Sequence, residues 1–152
     1  MALYQSKQIL ARIPIIALDG ADDVVPIQAE FVVPAGGLAV NDVIEMGGIT
    51  PTMRVIDAII HNTAAGAGAT FDLGYLTGSY GTTGARTCGN EFIAAGDMNS
   101  TVVKRLTKSV TTEPAAAAGN LTDDATGWGL KVTGATWAAG TVIRATLFCA
   151  SI

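Results

Sequence analysis

Apolar and polar residues alternate with a period of two along most of this chain. Its apolar positions therefore gather on one face of extended strands rather than on a helical stripe. In Pro26–Val33, the side chains of Ile27, Ala29, Phe31 and Val33 share a face, with Gln28 and Glu30 opposite. Pro34-Ala35-Gly36-Gly37 then breaks the strand. Asn41–Met46 opposes Val43 and Glu45 to Ile44 and Met46, and Met53–His61 opposes Val55, Asp57, Ile59 and His61 to Ile56, Ala58 and Ile60. Thr70–Leu76 gathers Phe71, Leu73 and Tyr75; Gly127–Thr133 gathers Trp128, Leu130 and Val132 with Lys131 opposite. Thr141–Ala150 sets Val142, Arg144, Thr146 and Phe148 against Ile143, Ala145, Leu147 and Cys149. A first strand is expected around Gln8–Leu18.

Glycine-bearing turns separate these segments at Asp19-Gly20, Ala35-Gly36-Gly37, Gly47-Gly48, Gly66–Gly68, Gly78–Gly84 and Ala138-Ala139-Gly140. Short strands at this spacing read as a sandwich, jelly roll or barrel, and the expected fold is an all-β jelly roll or β-sandwich of about eight short antiparallel strands. Helix signals are few. Asn90–Ala95 reads as one or two turns capped by Asn90. Thr101–Val110 has helical spacing of Val102, Val103, Leu106 and Val110, but its β-branched content favours a strand. Pro114–Gly119, continuing through Asn120–Thr126, reads as a long exposed loop. Residues 1–7 read as an extended arm and 8–152 as a single β-sandwich domain.

Composition changes the functional picture more than the fold. Of 152 residues, 14% are charged, against about 25% in ordinary domains, and the mean hydropathy is +0.42. A chain so short of charge has apolar surface to hide against copies or partners, so a homo-oligomer is expected. The net charge of −4 and the pI of 4.7 argue against a nucleic-acid partner; the densest basic stretch, Lys104, Arg105 and Lys108, neutralises few phosphates. No segment reads as a membrane span: the longest uncharged stretch, Ala58–Phe71, contains His61, Asn62 and glycine breaks. The apolar run Ile13–Leu18 is too short for a signal peptide, follows Arg12 and ends at Asp19. Cys88 and Cys149 read as buried thiols in a reducing compartment rather than a disulfide.

Catalytic side chains are scarce. Gly78-Ser79-Tyr80-Gly81 falls short of a nucleophile elbow and reads as a hairpin loop. His61, the only histidine, shares a strand face with Ile59 and Val55 and reads as a packed or rim residue. No metal spacing is present: Asp22-Asp23 and Asp123-Asp124 read as solvated loop acids. Gly66-Ala67-Gly68 lacks the lysine and helix of a phosphate cradle. Trp128 reads as core, whereas Trp137, near a turn, is the freer aromatic for a sugar platform with Tyr75 and Tyr80. The reading is of a non-enzyme, with no catalytic residue, cofactor or metal. An enzyme built on dispersed carboxylates would need two acids meeting in a concave pocket.

The stretch Glu30–Asp72, EFVVPAGGLAVNDVIEMGGITPTMRVIDAIIHNTAAGAGATFD, resembles small virion proteins of tailed bacteriophages. The pattern continues through Thr83–Thr87 and Asn90–Ala95, and the terminal TVIRATLFCAS resembles their closing strand. Residues 8–96 carry the resemblance well and the remainder loosely; PAAAAGNLTDDATGW departs from it. The resemblance implies a jelly-roll capsid decoration, or cement, protein. Such a protein is made in the host cytoplasm, sits on the outer capsid surface of the virion and clamps capsomers of the major capsid protein shell. The alternative is a tail-associated or carbohydrate- or receptor-binding β module. For a cement protein, contact is expected from extended, low-charge segments: the arm Met1–Lys7, through Tyr4 and Lys7, and the turn Gly78–Arg86, through Tyr80 and Arg86. The arm precedes the first strand and has no periodic partner; deleting Met1–Lys7 is expected to spare the fold, because it removes no core position, and to weaken attachment to shells.

Overall fold

A computed structural model describes residues 1–6, 24–106 and 125–151. No helix occurs among them. They form nine strands: β1 (Leu3–Gln5), β2 (Val24–Val32), β3 (Val43–Ile49), β4 (Met53–Asn62), β5 (Ala69–Ser79), β6 (Ile93–Asp97), β7 (Val102–Arg105), β8 (Thr126–Gly134) and β9 (Val142–Ser151). They make a five-stranded sheet, β1-β3-β8-β5-β6, and a four-stranded sheet, β2-β9-β4-β7.

The pairing is nested. β2 pairs with β9, β3 with β8, β4 with β7 and β5 with β6, all antiparallel. The chain from β2 to β9 is thus one long hairpin folded back at the β5–β6 connection and then rolled, so that β4 also meets β9 and β5 also meets β8. That is the jelly-roll winding expected from the alternation. The inward faces of both sheets fill one core, with Phe31, Val55, Ile60, Ile143 and Leu147 from one side and Met46, Phe71, Leu73, Trp128 and Leu130 from the other. The six alternating segments of the sequence each map onto one strand, with Val33, Asn41, Asp42 and Thr141 just beyond the strand ends, and each keeps its expected inward set except where a bulge intervenes. A register shift between Val55 and Asp57 sends Ile56 outward with Asp57 and turns Ala58 and Ile60 into the core.

Several expectations need correction. The N-terminal residues are not an arm without a partner: Leu3–Gln5 pair in parallel with Val43–Glu45. Asp42 fixes this approach by accepting the backbone N–H of Ala2 at 2.7 Å and that of Ala39 at 3.0 Å. The strands therefore number one more than eight among the described residues, and one pair is parallel. Asn90–Ala95 is no helix turn: Ile93–Asp97 is an edge strand, buried through Ile93. It bulges where Ala95 takes a φ of 49° and donates its N–H to the Asp72 carboxylate at 2.9 Å. Within Thr101–Val110 the strand reading holds for Val102–Arg105. The expected strand Gln8–Leu18 and the loop Pro114–Gly119 lie outside the described residues.

Candidate partner-binding surface

The outer face of the five-stranded sheet is paved with glycine. β5 turns Asp72, Gly74 and Leu76 outward, and β8 turns Gly127, Gly129 and Lys131 outward. Glu45 of β3, Gly129 of β8 and Gly74 of β5 stand side by side across three strands. Lacking side chains, these positions leave a trough, and the chain after β5 lies in it. A Cβ on Gly129 would strike the Ile44 carbonyl and the Leu76 side chain; one on Gly74 would strike Glu91 and the Gly89 backbone. Cys88 sits over Gly129, its thiol donating to the Gly129 carbonyl at 3.2 Å, and joins Val43, Leu76 and Leu3 in a second, smaller apolar cluster. All seven residues of β3 are buried: this cluster covers Val43, Arg86 covers Glu45, and the main core takes Ile44, Met46 and Ile49.

Glu45 is the fully buried acidic residue in the floor of that face, and it organises the turn above it. Its carboxylate pairs with the Arg86 guanidinium, with the two side chains 0% and 3% exposed. It also accepts the backbone N–H of Gly81 at 3.2 Å and the Gln5 side-chain amide at 3.3 Å. Arg86 also donates to the turn's own backbone, Nε to the Thr77 carbonyl at 2.6 Å and Nη2 to the Gly78 carbonyl at 2.9 Å. The guanidinium lies against Gly127, where a Cβ would collide with it. A buried carboxylate without a partner is costly, and here one arginine, one backbone N–H and one side-chain amide satisfy it. The turn is thereby pinned at both ends, while Gly81, Thr82, Thr83, Gly84 and Ala85 between them are exposed.

The structure places the expected contact residues unequally. Arg86 is not available to a partner's carboxylate, because Glu45 and the carbonyls of Thr77 and Gly78 already use it. Tyr80 is half-buried beside the turn, and burial followed by the nearby Glu45 charge raises its phenol pKa. Tyr4 is half-buried, with its ring edge-on to Phe31 at 6.1 Å. Lys7 lies outside the described residues. The two segments expected to make contact, the N-terminal residues and the turn, do meet: Leu3, Tyr4, Gln5, Phe31, Val32, Pro34 and Thr83 line an open pocket of about 380 Å³. Sequence reasoning missed Glu45 as the link between them. The signal was there, since a lone carboxylate within VIEMGGI has to find a partner once both faces of the strand are covered.

Other candidates change or fall away. Trp137 is not a free aromatic: it is buried and donates its indole N–H to the Thr70 carbonyl at 3.2 Å. Trp128 and Tyr75 are buried as well, so these residues form no sugar platform. Tyr75 packs edge-on to Phe92 at 4.8 Å. His61 stands half-buried on the outer face of the four-stranded sheet, between Arg144 and Val103. Cys88 and Cys149 are buried free thiols. Burial pushes the Cys149 thiol up to about 12. The Cys88 thiol also rises, through burial first and the neighbouring Glu91 second. No cluster of metal-ligating side chains occurs among the described residues. Asp22-Asp23 and Asp123-Asp124 lie outside them.

No family model matches the sequence, and neither does any curated protein. Two solved structures are similar. One is a chain of the capsid of Ralstonia phage GP4, with a TM-score of 0.80 and 29% identity over 99% of this chain and 99% of that one. The other belongs to the capsid asymmetric unit of cyanophage Pam1, with a TM-score of 0.58 and 12% identity over 91% of this chain and 95% of that one. The second shows a shared fold. The first carries sequence likeness as well, supports a structural role in a phage capsid, and bears out the resemblance to phage virion proteins that Glu30–Asp72 carries.

Proposed function

We propose that this chain is a capsid decoration, or cement, subunit of a phage virion. It sits on the outer surface of the head, bridges neighbouring capsomers of the major capsid protein, and acts there as an oligomer. It is made in the host cytoplasm, uses no cofactor and performs no catalysis. The observation that carries this reading is the end-to-end likeness to a chain from the Ralstonia phage GP4 capsid. The physical features agree with it. A clamp needs a stiff scaffold and low-charge contact surface, because burying charge against a partner costs desolvation. Here the roll supplies stiffness, and the Glu45–Arg86 pair holds a low-charge turn rigidly at the surface. Pre-ordering such a turn reduces the entropy lost when a partner binds.

The test is co-sedimentation of the purified chain with heads assembled without it, followed by imaging of the decorated heads. Added density on the outer shell between capsomers is the expected result. No association with heads at micromolar chain, or density confined to the tail, would overturn the reading.

A further inference from the structure

The two sheets present four edges, and three are blunted. β6 bulges at Ala95. β7 is four residues long and carries Lys104 and Arg105. On β2, the bonds of Val33 with Thr141 and Gly140 put the odd-numbered residues on the β9 side. Pro26 therefore falls at an outward position, where it offers no N–H. Bulges, charges and proline are the usual devices that keep an edge from pairing with another chain.

β1 has none of them. Its sequence is Leu-Tyr-Gln, and among the described residues no strand pairs with its outer edge. Val43 donates to the Ala2 carbonyl, and Ser6 donates to the Glu45 carbonyl, both at 2.8 Å. Backbone polar groups alternate along a strand, so Ala2, Tyr4 and Ser6 serve β3. The N–H and C=O of Leu3 and Gln5 therefore face away from the sheet. Beside this edge lies the pocket lined, among the described residues, by Tyr4, Phe31, Val32, Pro34 and Thr83, none of them charged.

We infer that the outer edge of β1 is the docking edge of this chain, resting on the cement reading above. An extended, uncharged segment of the shell protein adds as a further strand beside Leu3–Gln5 and seats one apolar side chain in the pocket under Thr83. Backbone pairing supplies the affinity and the uncharged pocket selects the side chain, as in other strand-addition complexes. A charged side chain is disfavoured there, because none of the described wall residues would compensate it.

The test compares amide hydrogen exchange of the full chain free and bound to heads assembled without it, together with head binding by two variants. Leu3→Pro deletes one outward donor without touching the β3 ladder, and Thr83→Trp fills the pocket. The expected result is protection of the Leu3 and Gln5 amides only in the bound state, with each variant binding about tenfold or more weakly; Thr83→Trp leaves the melting temperature unchanged, whereas Leu3→Pro, which also withdraws Leu3 from the cluster with Val43, Leu76 and Cys88, lowers it without abolishing the fold. Bound protein whose Leu3 and Gln5 amides exchange as fast as in the free chain overturns the inference while leaving the cement reading standing. Should either variant not fold, the exchange of the unaltered protein decides. Protection appearing on self-association without heads would make a second copy the occupant and overturn the choice of the shell. Failure of the unaltered chain to bind heads removes the cement reading and this inference with it.

Discussion

Glu45 and Arg86 form a pair whose value depends on both members being present. Each is shielded from water, so neither can turn to solvent for compensation if the other is removed. Removing one partner of a buried pair typically costs about 3–5 kcal/mol, whereas replacing both with apolar residues is often close to neutral. Glu45→Met and Arg86→Met should therefore each lower unfolding stability by about that amount, and the double variant should recover most of the loss. Urea unfolding of the four proteins measures it. A double variant no more stable than either single one would mean that the pair's role lies in its bonds to Gly81, Thr77 and Gly78 rather than in mutual charge compensation. Arg86 also shows where residue-level reading stops. In sequence it is one cation in a glycine-rich turn, indistinguishable from a solvent-facing one. Its burial follows from Gly127 on β8 and Glu45 on β3, neither of them near it in the chain.

Edge and central strands have different worth, and the two chain ends make the contrast. β1 lies at the margin of its sheet, and its removal uncovers one side of β3 together with the packing of Tyr4 on Phe31. β9 lies between β2 and β4 and supplies Ile143, Ala145, Leu147 and Cys149 to the core. Deleting residues 1–6 should leave a folded β protein weakened by about 2–4 kcal/mol, since a few half-buried side chains and one short ladder are lost. Deleting residues 142–151 should abolish the fold. Far-UV circular dichroism with thermal melting of both truncations checks this; a folded, cooperative protein without β9 would refute the nested pairing. The same contrast explains what was legible in the sequence. Long strands with one face in the core announce themselves by alternation, as in Pro26–Val33 and Thr141–Ala150. β1 is too short to show a period, and its parallel pairing depends on Asp42 catching the Ala2 amide. Asn90–Ala95, which overlaps β6, reads as a helix turn because it carries a cap residue and alanines; the Asp72 carboxylate, distant in sequence, sets the bulge of β6 instead. The candidate surface was half legible: its two segments were chosen by low charge and turn chemistry, but their meeting at one pocket is a property of the roll.

At the scale of the whole molecule the apolar surplus is absorbed largely within one chain. The accessible surface is 7076 Å², close to the roughly 7200 Å² that size scaling gives a compact 15.5 kDa monomer. The second cluster, outside the five-stranded sheet, takes apolar side chains that a simple two-layer sandwich would leave in water. Low charge alone therefore does not require partner copies, and oligomerisation belongs to the proposed assembly on the shell. The winding that achieves this burial has a kinetic consequence. The connection closing β5 to β6 is local, pairing Leu73 with Ile93, but each further ring of the roll pairs residues more distant in the chain, ending with Val24 beside Ala150. Loop-closure entropy has to be met before such contacts form, so folding should be slow, with a relaxation of roughly milliseconds to seconds as in other all-β domains. The β5–β8 ladder and its core residues Phe71, Leu73 and Leu130 lie at the centre of the winding and are the expected nucleus. Leu73→Ala and Leu130→Ala should then chiefly slow folding, whereas Tyr4→Ala, at the margin, should chiefly speed unfolding. Stopped-flow chevrons of the three variants separate these effects. A microsecond relaxation, or a Tyr4→Ala variant whose loss appears in the folding limb, would place the nucleus elsewhere and show that β1 docks before the roll closes.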